Sequence, residues 1–409
     1  MKRLLQNIIC TFLKKIKNII RDLFLYPPLL LITKYNYAHK LKDLHGKEKI
    51  NVSFLVSQNT KWNGASVYSK LMSNERFSVM ILVIRSKIDT EADENYLFFK
   101  QRGYNVFEII RFSDLRMHKP DIVFYQQPWF TGLRNGFSPF IISKIALCLY
   151  FPYSIATTIE LPSRWNNCKF FFKTLYKQFL FNSDCVREFE EHGLHNTIAT
   201  GHPKLDVYGE DVKHNLWRDS TKIKIIYAPH HSFNIGGSLW ATFSWNGKQI
   251  LQMAKDNLNT EWIFKPHPMF KQEVVKAGIM TREEVDEYFD EWIHIGQVYN
   301  IGDYFDIFRT SNLLITDCNS FLTEYLPTGN PVIHLISSNN SVWSTVSRKS
   351  SQHYYKVRNL DELESTFDML VNQHKDPLKN ERQEDMAEIK YNSADNIINE
   401  LLKIISREK

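Results

Sequence analysis

From about residue 49 onward, short apolar runs alternate with longer stretches in which apolar residues recur every three or four positions. Residues 50–56, 79–84, 105–110 and 121–125 read as strands, because they are short, apolar and bounded by polar or turn-forming residues. Residues 154–159 give a weaker strand signal, and residues 178–182 lead into a helix over 186–192. The turn Gly201-His202-Pro203-Lys204-Leu205-Asp206 and a polar stretch from Gly209 to Thr221 then interrupt the pattern. The alternation restarts with strands over 222–227, 261–264, 293–298, 312–316 and 331–336, and a long helix over 383–407 ends the chain. Strands alternating with helices imply parallel βαβ units, so the expected class is α/β with two Rossmann-like doubly wound domains.

The first residues follow another pattern. Leu4, Leu5, Ile8, Ile9, Phe12, Leu13, Ile16, Ile19 and Ile20 fall at helical spacing over residues 4–25, with Lys14, Lys15, Lys17 and Arg21 between them. These cations interrupt any run of the roughly twenty apolar residues that a bilayer crossing needs. The apolar run over 23–32 is expected to break at Pro27 and Pro28. No small-residue cleavage site follows, so the segment does not read as a signal peptide. A basic amphipathic helix suits the surface of an anionic membrane, where each cation contributes about 1 kcal/mol. The plainer reading is a helix packed on the protein with solvated lysines; the one-sided charge favours the membrane. Residues 1–45 are therefore expected to associate with the inner face of the cytoplasmic membrane, making the chain peripheral.

A length of 409 residues suits two domains. The expected division is 46–208, an acceptor domain, then 209–380, a nucleotide-donor domain, then 381–409, a C-terminal helix. Among the first forty residues Lys2, Arg3, Lys14, Lys15, Lys17, Arg21, Lys34 and Lys40 face one acid, Asp22. That excess alone covers the formal net charge of +6, so the remainder is near neutral and carries no nucleic-acid footprint. Cys10, Cys148, Cys168, Cys185 and Cys318 are scattered without metal-ligand spacing, which suggests core thiols and no metal.

Three clusters follow predicted strands of the second half, where a parallel sheet presents its ligands. They are Pro229-His230-His231-Ser232 running on to Gly236-Gly237-Ser238, then Lys265-Pro266-His267-Pro268, then Asp317-Cys318-Asn319-Ser320 with Glu324 downstream. Imidazoles, hydroxyls, an ammonium and the amides of a helix start are the donors a pyrophosphate needs. Asn319 and Ser320 look like the cap of a helix over 321–326, and Glu324 suits ribose hydroxyls. Each cluster alone has a plain alternative: loop histidines bonded to backbone, a rigid Pro-rich strand exit, a simple helix cap. Three at strand ends of one domain point to a nucleotide site.

The set resembles the CDP-glycerol glycerophosphotransferase family, the teichoic-acid and capsule polymerase type with a GT-B-like fold. Gly201-His202-Pro203-Lys204-Leu205-Asp206, Tyr227-Ala228-Pro229, Lys265-Pro266-His267-Pro268 and Thr316-Asp317-Cys318-Asn319-Ser320 with Glu324 and Asn330-Pro331-Val332 carry the likeness. Pro120 to Trp129 and the Trp62, Ser66-Val67-Tyr68, Arg76-Phe77 pattern are similar to its capsule-associated branch. Members of the teichoic-acid branch carry a histidine in a Trp-His-Gly-Thr segment of the first domain. Here the corresponding strand exit reads Tyr150-Phe151-Pro152-Tyr153-Ser154, without one.

The resemblance implies transfer of glycerol phosphate from CDP-glycerol or a related CDP-alcohol to a hydroxyl of a polysaccharide or lipid-linked glycan, without a cofactor. It places His267 and Lys265 on the diphosphate beside Asn319 and Ser320, and Glu324 on the ribose. His230 or His231 would be the base or a further phosphate ligand, and Pro229, Ser232, Asp317 and His202 line the donor site. A glycosyltransferase using a nucleotide-sugar would show a similar cleft, and a non-catalytic scaffold of a capsule assembly complex is the alternative outside enzymes.

Overall fold

The computed structural model describes residues 18–85, 91–128, 136–155, 162–233, 240–300, 303–337, 345–387 and 389–406. They fall into two compact units, the first ending at Pro203 and rejoined by the chain from Asn392, the second holding Lys204–Tyr391.

The first unit contains β1 (Ile50–Val56), β2 (Phe77–Ile84), β3 (Val106–Ile109), β4 (Ile122–Tyr125), β5 (Leu147–Tyr150), β6 (Lys177–Leu180) and β7 (Thr197–Ala199). They form one parallel sheet in the order β3-β2-β1-β4-β5-β6-β7. β4 and β5 are buried at every position, as strands covered on both faces must be. β5 replaces the strand expected over 154–159: Ser154 and Ile155 lie outside any strand, and the rest of that range lies outside the described residues. Its four residues sit in a continuous apolar stretch, so no change of period marks them in the sequence.

Of the amphipathic helix expected over 4–25, residues 1–17 lie outside the described residues. From residue 18 the chain is helical to Leu44, through a π-helical turn, Arg21–Leu25, and an α-helix, Tyr26–Leu44. Pro27 and Pro28 do not break it. They occupy the first turn of the α-helix, where a missing N–H costs least, after a widened turn. The helix is fastened to the first unit by Tyr26 stacked on Phe170 at 4.2 Å, and by the Tyr37 hydroxyl donating to the Thr174 carbonyl at 2.7 Å. The Lys40 ammonium also pairs with Asp121 at 2.9 Å. No helix of the described residues is long and apolar enough to cross a membrane.

The single helix expected over 383–407 is two. Lys379–Ala387 stays with the second unit, where buried Arg382 donates to the carbonyls of Gly329 and His353, each at 3.2 Å. Ser393–Ser406 returns to the first unit and sinks Ile397, Leu401, Ile404 and Ile405 into its core.

The second unit contains β8 (Ile223–Ala228), β9 (Thr260–Phe264), β10 (Gln297–Val298), β11 (Leu313–Thr316), β12 (Val332–Leu335) and β13 (Tyr355–Val357). They too form a parallel sheet, ordered β10-β9-β8-β11-β12-β13. The first half of the strand expected over 293–298 is helix, since Arg282–Ile295 extends into it, and only Gln297–Val298 is strand. Gly296 makes the joint: a Cβ there would lie 2.4 Å from the Trp262 carbonyl oxygen. Both sheets reverse their strand order beside their first strand, and ligands of such sheets bind at the carboxyl ends flanking that reversal. In the second unit these are the exits of β8 and β11.

Candidate active site

The β8–β9 ladder continues past both strands. The Lys265 amide donates to the Tyr227 carbonyl at 2.8 Å, and the His267 amide to the Pro229 carbonyl at 3.3 Å. This register sets Lys265-Pro266-His267 beside Pro229-His230-His231. The rings of His231 and His267 stack with centroids 3.7 Å apart and planes 22° apart, and His230 lies 4.4 Å from His231. The His267 Nδ1 accepts the Met269 amide at 3.1 Å, which leaves Nε2 to carry the proton of a neutral ring.

His230 is held in the same tautomer. Its Nδ1 accepts the Ser232 amide at 3.2 Å and lies 2.8 Å from the Ser232 hydroxyl. Burial and the two neighbouring imidazoles push its pKa down to about 3, so the ring is neutral at physiological pH.

Asp317, just beyond β11, is buried and joins three segments of chain. One carboxylate oxygen accepts the His230 amide at 2.6 Å, and the other accepts the Thr242 amide at 2.7 Å and its hydroxyl at 2.9 Å. Burial raises its pKa to about 6 despite these donors. Thr316, the preceding residue, bonds the Ala228 carbonyl at 2.6 Å and thereby ties the same two strand exits.

Lys265 is buried among aromatic rings, its ammonium 4.6 Å from the centre of Tyr304 and 5.2 Å from Phe321. Burial lowers its pKa to about 8. Glu324 is completely buried, and both carboxylate oxygens are engaged: one by the Lys204 ammonium at 2.7 Å, the other by the Tyr304 hydroxyl. The Tyr208 hydroxyl donates to the Glu324 carbonyl at 2.7 Å.

Asn319 and Ser320 do not cap a helix over 321–326. They form the first turn of the helix Asn319–Tyr325, with Cys318 at the N-cap position and no side-chain cap bond. His202 belongs to the first unit, where its Nε2 bonds the Pro152 carbonyl at 2.9 Å. Gly236-Gly237-Ser238 lies outside the described residues. Thr242, Tyr304, Lys204 and Tyr208 escape sequence reasoning as individuals. Lys204 lies in a recognised turn, but nothing local marks the other three, because their partners are 20 to 116 positions away. Among the described residues, no three His, Cys, Asp or Glu side chains gather as a metal would require.

Residues 187–390 match the family model described as CDP-Glycerol:Poly(glycerophosphate) glycerophosphotransferase. Comparison with curated proteins finds no match. Among solved structures, the chain is similar to the UDP-GlcNAc 2-epimerase of Neisseria meningitidis, with a TM-score of 0.60 and 15% identity over 87% of this chain and 100% of that one. It is similar to the UDP-GlcNAc 2-epimerase of Methanocaldococcus jannaschii, with a TM-score of 0.59 and 12% identity over 87% of this chain and 99% of that one. A wall teichoic acid polymerase, TagF, matches with a TM-score of 0.57 and 10% identity over 97% of this chain and 98% of that one. Identities this low speak to the fold, which is GT-B-like in each unit's Rossmann topology. Residues 187–390 thus carry a domain of the CDP-glycerol:poly(glycerophosphate) glycerophosphotransferase type.

Proposed function

We propose that the protein transfers glycerol phosphate from CDP-glycerol, or a related CDP-alcohol, to a hydroxyl of a cell-surface polysaccharide. The observation that carries this reading is the gathering of His230, His231, His267 and Lys265 at adjacent strand exits beside the sheet's order reversal. The match of residues 187–390 to the family supports it, and so does the TagF structure whose name includes CDPG.

In this reading the acceptor oxygen attacks the β-phosphorus, the bond from that phosphorus to the bridging oxygen breaks, and CMP leaves with the bridging oxygen. CMP is a good leaving group, so positioning and charge neutralisation do most of the work. His267 and His230 donate Nε2–H to diphosphate oxygens, and the Lys265 ammonium neutralises charge beside them. His230, at about 3, is a poor base, so we assign removal of the acceptor proton to His231. Asp317 holds His230 in place, Pro229 and Ser232 shape its loop, and Asn319 and Ser320 bring the amides of a helix start. Glu324 anchors Lys204 and Tyr304. His202, in the first unit, keeps its place as a donor-site candidate.

We further propose that the acceptor is a capsule or teichoic-acid-like glycan, and that the protein works at the cytoplasmic face of the membrane as a peripheral enzyme. The exposed apolar side chains Ile19, Ile20, Leu23, Phe24 and Leu25 support that placement.

The test is incubation of the purified chain with CDP-glycerol, CDP-ribitol and nucleotide-sugars, with membrane or capsule extract as acceptor. CMP released only from a CDP-alcohol in the presence of acceptor is the expected result. Release of UDP or GDP would make the protein a glycosyltransferase and overturn the reading, and so would an absence of release from every donor.

A further inference from the structure

The helix from residue 18 to Leu44 has two apolar sides where a surface helix of a globular protein needs one. One side is docked through Tyr26, Thr33 and Tyr37. The other leaves Ile20, Leu23, Phe24 and Leu31 in solvent, with Leu23 63%, Phe24 72% and Leu31 67% exposed. Contiguous exposed side chains of this size mark an interaction surface.

Beside that surface lies a groove of about 600 Å³ between the N-terminal helix and the helix Pro162–Thr174. Its wall carries Lys34, Lys169, Lys173 and His192 against one acid, Asp22. Asp22 is spent on Lys169, with which it forms an ion pair, and on Arg21 at 3.3 Å. Lys34 and Lys173 are exposed, and among the described residues no acid other than Asp22 lines the groove. Leu31 lines the groove and also belongs to the exposed helix side, so the basic wall and the apolar surface meet along one edge.

We infer that this groove holds the head group of an anionic phospholipid, its phosphate between Lys34 and Lys173, while Leu23, Phe24 and Leu31 enter the acyl boundary of the same leaflet. The inference rests on the membrane reading proposed above and makes it specific. A cation near an anionic leaflet adds attraction wherever it sits, but a groove adds a located contact. The occupant is a lipid of the bilayer and not a free phosphate, because the cations adjoin side chains that only a hydrocarbon boundary can cover.

The full chain is sedimented with vesicles of phosphatidylcholine alone and of phosphatidylcholine containing phosphatidylglycerol. The groove variant is Lys34→Gln/Lys173→Gln, and the control is Lys100→Gln/Lys403→Gln, an equal charge change at exposed sites of the same unit. The groove variant is expected to lose about tenfold in affinity for phosphatidylglycerol vesicles, while the control stays within about twofold of the unchanged protein. Leu23→Ser/Phe24→Ser is expected to abolish sedimentation with both. Equal losses in groove variant and control would leave the protein on the membrane by general charge and overturn the groove. Failure of the unchanged protein to sediment with any vesicle would overturn the membrane reading and the groove with it.

Discussion

The carboxylate of Asp317 at the exit of β11 accepts the backbone amide of His230 at the exit of β8, at 2.6 Å. The two strands are neighbours at the place where the sheet's order reverses, so this one bond decides how the loop that follows β8 leaves the sheet. The second carboxylate oxygen takes both donors of Thr242, which opens the helix Phe243–Asp256. Asp317 is thus placed to position His230.

Asp317→Asn tests that role. An amide offers one acceptor oxygen where three donors converge, and its NH₂ would face an N–H. Turnover of CDP-glycerol is expected to fall at least tenfold, a loss of about 1.4 kcal/mol in transition-state stabilisation, with far-ultraviolet circular dichroism unchanged. Activity within twofold of the unchanged protein would show that the clamp does not hold the site.

The same residue makes stability depend on pH. Its pKa of about 6 in the fold exceeds the ordinary carboxylate value near 3.9, so the fold prefers the protonated form. The stability this provides is complete below about pH 4 and is lost as pH rises through 6, to a total of about 3 kcal/mol. In urea unfolding, the advantage of the unchanged protein over Asp317→Asn should therefore be largest near pH 4 and shrink by pH 7. A pH-independent difference would contradict the burial that raises Asp317.

How much of this was readable beforehand depends on how locally each feature is encoded. β1, β4, β8 and β11 are buried runs with turn residues on either side, and the sequence marks them without ambiguity. The motifs after β8, β9 and β11 read as a site because a parallel sheet gathers its strand exits, a rule that needs no coordinates. Leu147–Tyr150 and Tyr355–Val357 are too short to show a period. Pro27 and Pro28 mislead because a π-helical turn directly before them widens the helix where their N–H groups are missing, and no local pattern announces that turn. Glu324 shows the opposite limit. A helix-borne acid after a phosphate-type motif suits a ribose, but the partners that engage it come from Lys204 and Tyr304, and no local signal announces them.

That buried triad yields its own prediction. Removing Lys204 leaves the Glu324 carboxylate with the Tyr304 hydroxyl alone in a site with no exposure to water. Lys204→Met is expected to cost about 2–3 kcal/mol in urea unfolding, somewhat below the range for fully buried pairs because the lysine is partly exposed. Glu324→Gln added to Lys204→Met should recover at least half of the loss, since no buried carboxylate is then left without its cation. Additive losses would mean that the pair acts through shape and not charge.

Lys265 sets function against stability. Its pKa of about 8 in the fold lies below the ordinary lysine value near 10.4, so burial disfavours the cation. The cost is complete below pH 8 and disappears as pH rises towards 10.4, so the unchanged protein gains stability across that window. Lys265→Met carries no such cost and should be more stable at neutral pH by about 1–3 kcal/mol, with no gain between pH 8 and 10. Its kcat/KM for CDP-glycerol should nevertheless fall by about a hundredfold or more, because the charge proposed to meet the diphosphate is gone. In the unchanged protein, kcat/KM should decline above pH 8, since that ratio reports the free enzyme, while kcat holds to higher pH because a bound diphosphate favours the ammonium. Lys265→Arg should lose the decline altogether, as a guanidinium does not titrate there. A decline at pH 8 that persists in Lys265→Arg would assign the titration to another group and remove Lys265 from the diphosphate.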